Sequence, residues 1–177
     1  MNVGWEVFKT VADFVRFSDA KAAVILAFAG GSAAFLSTRV DVLHAIILRH
    51  GNDPWGALLY VAVLLYLCAL AFTMFASLRS LRPALSTGDK KRSLIFFKHI
   101  AEDYAGRHVE YGRALGALGE DEVREEVAHQ ICANARIATA KFEWVERAIQ
   151  ALIAAIAAWA MIVVLLLLLG GEGAGGR

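Results

Sequence analysis

The sequence predicts an all-α membrane protein: three transmembrane helices with a cytoplasmic antiparallel helical hairpin, the last helix of the hairpin being continuous with the third span. Three observations predict it. Of the 177 residues, 58% are hydrophobic, and the mean hydropathy of +0.54 lies well above that of an ordinary water-soluble domain. Three uncharged apolar runs have about the length of a bilayer crossing. Between the second and third runs, apolar residues recur at alternating spacings of three and four, the period of an α-helix.

Residues 1–17 are expected to form an amphipathic helix. Val7, Phe8, Val11, Phe14 and Val15 alternate with Lys9, Asp13 and Arg16, a pattern that suits either a bilayer surface or the face of another helix. Residues 18–82 are read as a transmembrane helical hairpin. Its first span, at about 22–38, is AAVILAFAGGSAAFLST, bounded by Asp19 and Lys21 before and Arg39 after. At about 1.5 Å per residue it reaches roughly 25 Å, so Lys21 and Arg39 must extend their side chains to the headgroups. The run follows a charge-balanced stretch instead of a short basic leader, so it is read as a retained span and not a cleaved signal.

The second span, at about 55–78, contains no charge, with Trp55 and Tyr60 near one end and Arg79 and Arg82 past the other, as interfacial anchors are placed. The third, 148–169, runs into a glycine-rich tail, 170–177, expected to be flexible. Small residues repeat at four-residue spacing at Ala23, Ala27 and Gly31, at Ala151 and Ala155, and at Ala154 and Ala158. Such repeats let helix backbones approach closely in lipid, so an intramembrane bundle or a homo-oligomer is expected.

Orientation follows from the basic residues beside the spans. Arg79, Arg82, Lys90, Lys91, Arg92 and Lys98 stand against the single acid Asp89, whereas the loop from Arg39 to Pro54 sets Arg39 and Arg49 against Asp41 and Asp53. The positive-inside rule then puts the N-terminus and residues 79–147 in the cytoplasm of a multi-pass inner-membrane protein, with the tail outside.

The cytoplasmic hairpin is assigned to 83–147. Pro83 ends the helix of the second span, and Ser86 to Asp89 is a turn-and-cap cluster. Phe97, Ala101, Tyr104, His108, Tyr111, Leu115 and Leu118 then form one continuous stripe. Gly119-Glu120-Asp121 supplies a break and a new acidic first turn. Val127, Ile131, Ala135, Ala138, Phe142, Val145, Ile149 and Leu152 form the second stripe, and neither glycine nor proline interrupts Glu122 to Leu169.

Antiparallel pairing about Gly119 sets Tyr111 near Ile131, His108 near Asn134 and Tyr104 near Ala138. Polar groups in such a seam commonly fix register by bonding to one another. They also suit a small ligand. Tyr104 and Tyr111 can stack on a base, Gln130 or Asn134 can bond its edge, and Arg107, Arg136 or Lys141 can neutralise a phosphate, with His108 on the same seam. Glu125, Glu126, Glu143 and Glu146 are read as a solvated face.

Other chemistry has little footing. Eighteen Lys and Arg against seventeen Asp and Glu leave a charge of +1, so no basic field holds nucleic acid. Cys68 and Cys132 are far apart and match no disulfide or zinc spacing. No phosphate-binding glycine loop, G-x-S-x-G elbow or H-E-x-x-H occurs, so no catalytic residue, metal or cofactor is expected. His99 and Glu102 share a helix face but have no second pair to complete a site.

Four blocks carry a family resemblance: SDAKAAVILAFAGG at Ser18 to Gly31, LRPAL at Leu81 to Leu85, SLIFFKHIA at Ser93 to Ala101 and QICANARIATAKF at Gln130 to Phe142. In this order, over about residues 15–165, the chain resembles the transmembrane effectors of Pycsar, a bacterial antiphage system. The resemblance implies an effector that senses cyclic CMP or cyclic UMP made by a partner cyclase on infection. It further implies damage to the inner membrane that stops the infected cell. It supplies no ligand residues, so the seam above remains a reading of this sequence alone. The competing reading is a non-enzymatic membrane scaffold whose hairpin docks a partner protein.

Overall fold

The computed structural model describes residues 3–50, 53–82 and 92–171. Among them are six helices and no strand: α1 (Val3–Ser37), α2 (Val40–Arg49), α3 (Pro54–Leu81), α4 (Phe97–Asp103), α5 (His108–Gly116) and α6 (Glu120–Gly171). Three of these, α1, α3 and α6, are long and apolar enough to cross a membrane. The all-helical membrane architecture expected from hydropathy is therefore the one observed. Pro54 opens α3, where its missing N–H is not needed and its fixed φ suits a first helical turn.

Two helix boundaries bear on the architecture. The amphipathic segment and the first span form a single 35-residue helix, because the intervening Ser18-Asp19-Ala20-Lys21 contains no glycine or proline to break it. The expected unbroken stripe from Phe97 to Leu118 is instead two short helices, α4 and α5. Between them Gly106 takes φ +71°, a left-handed conformation that glycine adopts without steric cost and that cannot continue a right-handed helix. A register counted back from Gly119 along one straight arm therefore stops at His108. The expected turn and cap at Ser86 to Asp89 and the stop at Pro83 lie outside the described residues.

By contrast, α6 is unbroken over 52 residues, about 78 Å at the standard rise. Glu120, Asp121 and Glu122 occupy its first turn. The Glu122 carboxylate reaches back to accept the Gly119 N–H at 2.8 Å, half of a capping box.

The chain divides into two compact units, one of residues 1–19 with 82–142, the other of residues 20–81 with 143–177. In the second unit α1, α3 and α6 share a continuous apolar core. Ala29 and Leu36 of α1, Leu59, Ala62, Tyr66 and Leu70 of α3, and Ala155, Ile162 and Leu165 of α6 are all buried in it. The buried α3 residues fall at spacings of three and four, one face of the helix. Trp159, partly buried, packs against this core, with Phe35 edge-on at 5.7 Å and Tyr66 at 5.6 Å between ring centroids. A second cluster joins Ala22, Ile25, Ala76, Val145 and Ala148.

The small-residue repeats are used unequally. Ala155 packs inside, but Ala23, Ala27 and Gly31 are exposed while Ala22 and Ala29 are buried. Ile25 and Leu36 anchor the inward face of α1, and an offset of one residue turns the alternate stripe about 100° away.

The α2–α3 turn depends on Gly56. A Cβ there would lie 1.9 Å from the His50 carbonyl oxygen, so the backbone approach is open only to glycine. His50 Nδ1 and the Asp53 carboxylate close the same turn at 3.1 Å. Gly56→Ala is expected to destabilise this unit by about 1–3 kcal/mol through forced backbone displacement. Gly30→Ala, in the interior of α1 where an added Cβ meets nothing within 4 Å, is expected to keep or raise the thermal midpoint in detergent, since alanine is the better helix former. Equal midpoints for the two variants would contradict the role given to Gly56.

Candidate functional site

In the first unit the short segment 92–96, which leads into α4, is held from three directions. Ser93 is buried. Its hydroxyl donates to the Glu126 carboxylate at 2.7 Å and accepts from the Gln130 amide at 3.0 Å. The same oxygen faces the Ile95 and Phe96 amides at 3.2 and 3.3 Å, satisfying backbone donors at the start of α4 that have no intrahelical partner. The Ser93 N–H donates to His99 Nδ1 at 3.0 Å. One residue on, the Leu94 carbonyl accepts from the Tyr111 hydroxyl at 3.0 Å.

Helical spacing makes this clasp possible. Glu126 and Gln130 are four residues apart on α6, so both side chains leave the same face. Both are buried. Glu126 therefore does not belong to a solvated face, as its acidic neighbours suggest; burial requires a partner, and Ser93 supplies one.

Four of the residues expected to form a ligand site gather around this segment. The Tyr104 and Tyr111 rings meet at 5.3 Å with an interplanar angle of 59°. Arg107 places its guanidinium 5.9 Å from the Tyr104 centroid, pairs with Glu110 at 3.1 Å and donates to the Asp103 carbonyl. Gln130 approaches from α6 through Ser93. The other four lie elsewhere in the unit. His108 is exposed at the first position of α5, Asn134 is half-buried, and Arg136 is exposed. Lys141 is buried and ion-paired with Asp19 of α1, beside an edge-on contact of Phe14 with Phe142 at 6.5 Å. It lies eleven residues from Gln130, about 16 Å along α6, and ties α1 to α6 within this unit.

The arrangement offers two aromatic faces and a guanidinium beside a segment whose own polar groups are already satisfied. It suits recognition by stacking and charge. Sequence reasoning missed Ser93, Glu126 and His99. The available signal was the pair Glu126 and Gln130, polar residues flanking Val127 on what is otherwise an apolar stripe.

On the outer surface of α4, Arg92 donates to Glu102 at 2.6 Å and stands 3.2 Å from the Asp103 carboxylate. The Arg92 hydrogen bond holds the Glu102 carboxyl below its ordinary range, helped by Lys98 and the Arg92 charge. A carboxyl lowered on folding adds stability above its unfolded pKa, and that contribution is lost as pH falls through the lower folded value. An NMR titration is expected to place the Glu102 midpoint below the usual glutamate value and to return it to that value in Arg92→Gln. An unchanged midpoint in the variant would contradict the pairing.

Ser93→Ala leaves Glu126 and Gln130 buried without their shared partner, at an expected cost of about 1–3 kcal/mol. Amide exchange of α4 is expected to accelerate in that variant, and exchange at wild-type rates would show that the clasp does not hold the segment.

Comparison with known proteins places these features in context. Residues 3–169 match the model of the Pycsar effector protein domain. The chain is 31% identical over 149 residues to the Pycsar effector protein PtPycTM of Propioniciclava tarda, covering 82% of this chain and 69% of that protein. No solved structure matches it significantly.

Proposed function

The chain belongs to the Pycsar effector family, whose role is antiphage defence, and from that premise we propose that it answers a cyclic pyrimidine mononucleotide, cyclic CMP or cyclic UMP, by impairing the inner membrane of the infected cell. The messenger is bound in the first unit. Its base stacks on Tyr104 and Tyr111, and Arg107 meets its phosphate. Residues 79–147 face the cytoplasm, where the nucleotide is made.

The observation that carries this reading is the contact of the tyrosine pair, through Leu94 and Ser93, with Gln130 on α6. A ligand that moves segment 92–96 acts on the same helix that continues into the third span. Asn134, His108, Arg136 and Lys141 enter as secondary contacts, made by another copy of the chain or after the clasp rearranges. Ligand energy shifts the protein between states only through differential affinity, so the messenger must bind the membrane-disrupting assembly more tightly than the resting one. The spans 55–78 and 148–169 contain no charged residue, which favours unselective leakage over selective conduction.

Calorimetry on the detergent-solubilised chain tests the proposal with cyclic CMP, cyclic UMP and, as a control, cyclic AMP. Binding of a pyrimidine nucleotide is expected, with a loss of about tenfold or more in Tyr104→Ala, since a base–aromatic stack contributes about 1–3 kcal/mol. Absence of heat with both pyrimidine nucleotides would overturn it and favour a scaffold that docks a protein.

A further inference from the structure

We propose that the membrane-spanning unit carries a site for an anionic phospholipid on its α3–α6 face, with the lipid phosphodiester on Arg79 and Arg147 and an acyl chain in the apolar groove that follows. Both arginines stand over one indole. The Arg79 guanidinium lies 5.8 Å from the Trp144 centroid and that of Arg147 lies 4.6 Å from it. Phe75 packs edge-on against the same ring at 6.0 Å.

Two cations are thus brought to one aromatic group, and among the described residues no carboxylate lies within ion-pair distance of either. Like charges held together without a counter-charge call for an anion, and a guanidinium presents parallel donors matched to two phosphate oxygens. The depth is that of a headgroup. Arg79 is the first charge after the uncharged run 55–78, and Arg147 the last before the run 148–169. Basic clusters between transmembrane helices at that level suit acidic lipid headgroups.

The same face of each helix leads inward from the arginines to an apolar depression. Phe75, Phe72, Cys68 and Leu65 precede Arg79 at spacings of four, three, four and three, so they share its side of α3. On α6, Ala154, Ala158 and Met161 follow Arg147 at seven, four and three. Leu65, Cys68 and Ala69 of α3 and Ala154, Ala157 and Met161 of α6 line a depression of about 560 Å³. Leu65 and Met161 lie fourteen residues from Arg79 and Arg147, about 21 Å along their helices, within reach of a lipid tail running inward from the headgroup level. Alanines on α6 leave the space that larger side chains would fill.

The same phosphodiester chemistry exists in the cyclic messenger. The apolar groove favours a lipid as its source. Among the described residues no carboxylate pairs with either arginine, so the two guanidinium charges favour a headgroup with net negative charge over a zwitterionic one.

Native mass spectrometry of the detergent-solubilised chain tests the site with phosphatidylglycerol, phosphatidylcholine and cyclic CMP as separate probes. Retention of phosphatidylglycerol over phosphatidylcholine is expected. Retention should fall about 30-fold in Arg79→Gln with Arg147→Gln, and return in part when both positions are Lys, which keeps the charge but not the paired donors. Ala154→Leu with Ala157→Leu, which fills the groove and keeps the arginines, is expected to lose the adduct as well. Equal retention of both lipids, or undiminished retention by the Gln double variant, would overturn the proposal. Displacement of the lipid by cyclic CMP would also overturn it, assigning the arginines to a soluble phosphodiester.

Discussion

The apolar surface of α1, α3 and α6 must be kept from water, and every other feature of the protein is arranged around that constraint. On α3 alone, Leu58, Leu64, Leu65, Leu67, Phe72, Phe75 and Leu78 are exposed. Each such side chain costs about 1.5–3 kcal/mol to leave in water. A handful of them outweighs the few kcal/mol of net stability that a folded domain retains. The helices are therefore a bundle with its oily side outward, built for a lipid solvent. The bundle's own contacts follow from it. With no hydrophobic drive between helices in lipid, cohesion rests on close packing of small residues such as Ala22, Ala29, Ala62 and Ala155, and on the aromatic wedge of Trp159 between Phe35 and Tyr66.

The first unit obeys a different rule. Its helices α4 and α5 are short and weakly buried, and their placement rests on a polar clasp more than on a core. Ser93 stands where Glu126, Gln130 and the N-terminal amides of α4 converge, and Tyr111 fastens the next carbonyl. A polar network of this kind is stable only when all its members are satisfied. Such an element suits a sensor, because a ligand that removes one partner shifts the balance of the others. The Lys141–Asp19 pair anchors α1 to α6 in the same unit, and the burial of Lys141 makes the loss of its partner expensive.

What the sequence displayed and what it hid divide along the same line. Uncharged runs ending at Lys21, Arg39, Arg79 and Arg147 define spans almost irrespective of tertiary detail, and the absence of glycine and proline after Glu122 leaves α6 no place to stop. The stripe from Phe97 to Leu118 reads as one continuous helix in the sequence, and the structure divides it into α4 and α5. The break depended on Gly106, whose cost in a helix is only about 1 kcal/mol relative to alanine and which tertiary contacts readily exploit. The burial of Glu126 was hidden for a similar reason. It follows from Ser93, thirty-three residues away, a partner that no local pattern displays. Likewise the offset between Ala22 and Ala23 is decided by which face Ile25 and Leu36 occupy, not by the spacing of the small residues. Of the site, the aromatic pair and Gln130 were legible as a group; Lys141 was not, because its partner lies on a distant part of α1.

The most direct measurement is the accessibility of spin labels, attached one at a time to the full chain in lipid vesicles, to oxygen and to a water-soluble nickel complex. Labels at Phe28, Leu65 and Ile153 are expected to collide with oxygen far more than with nickel, and a label at Glu125 is expected to show the reverse. Nickel accessibility at the three apolar positions equal to that at Glu125 would contradict the membrane bundle.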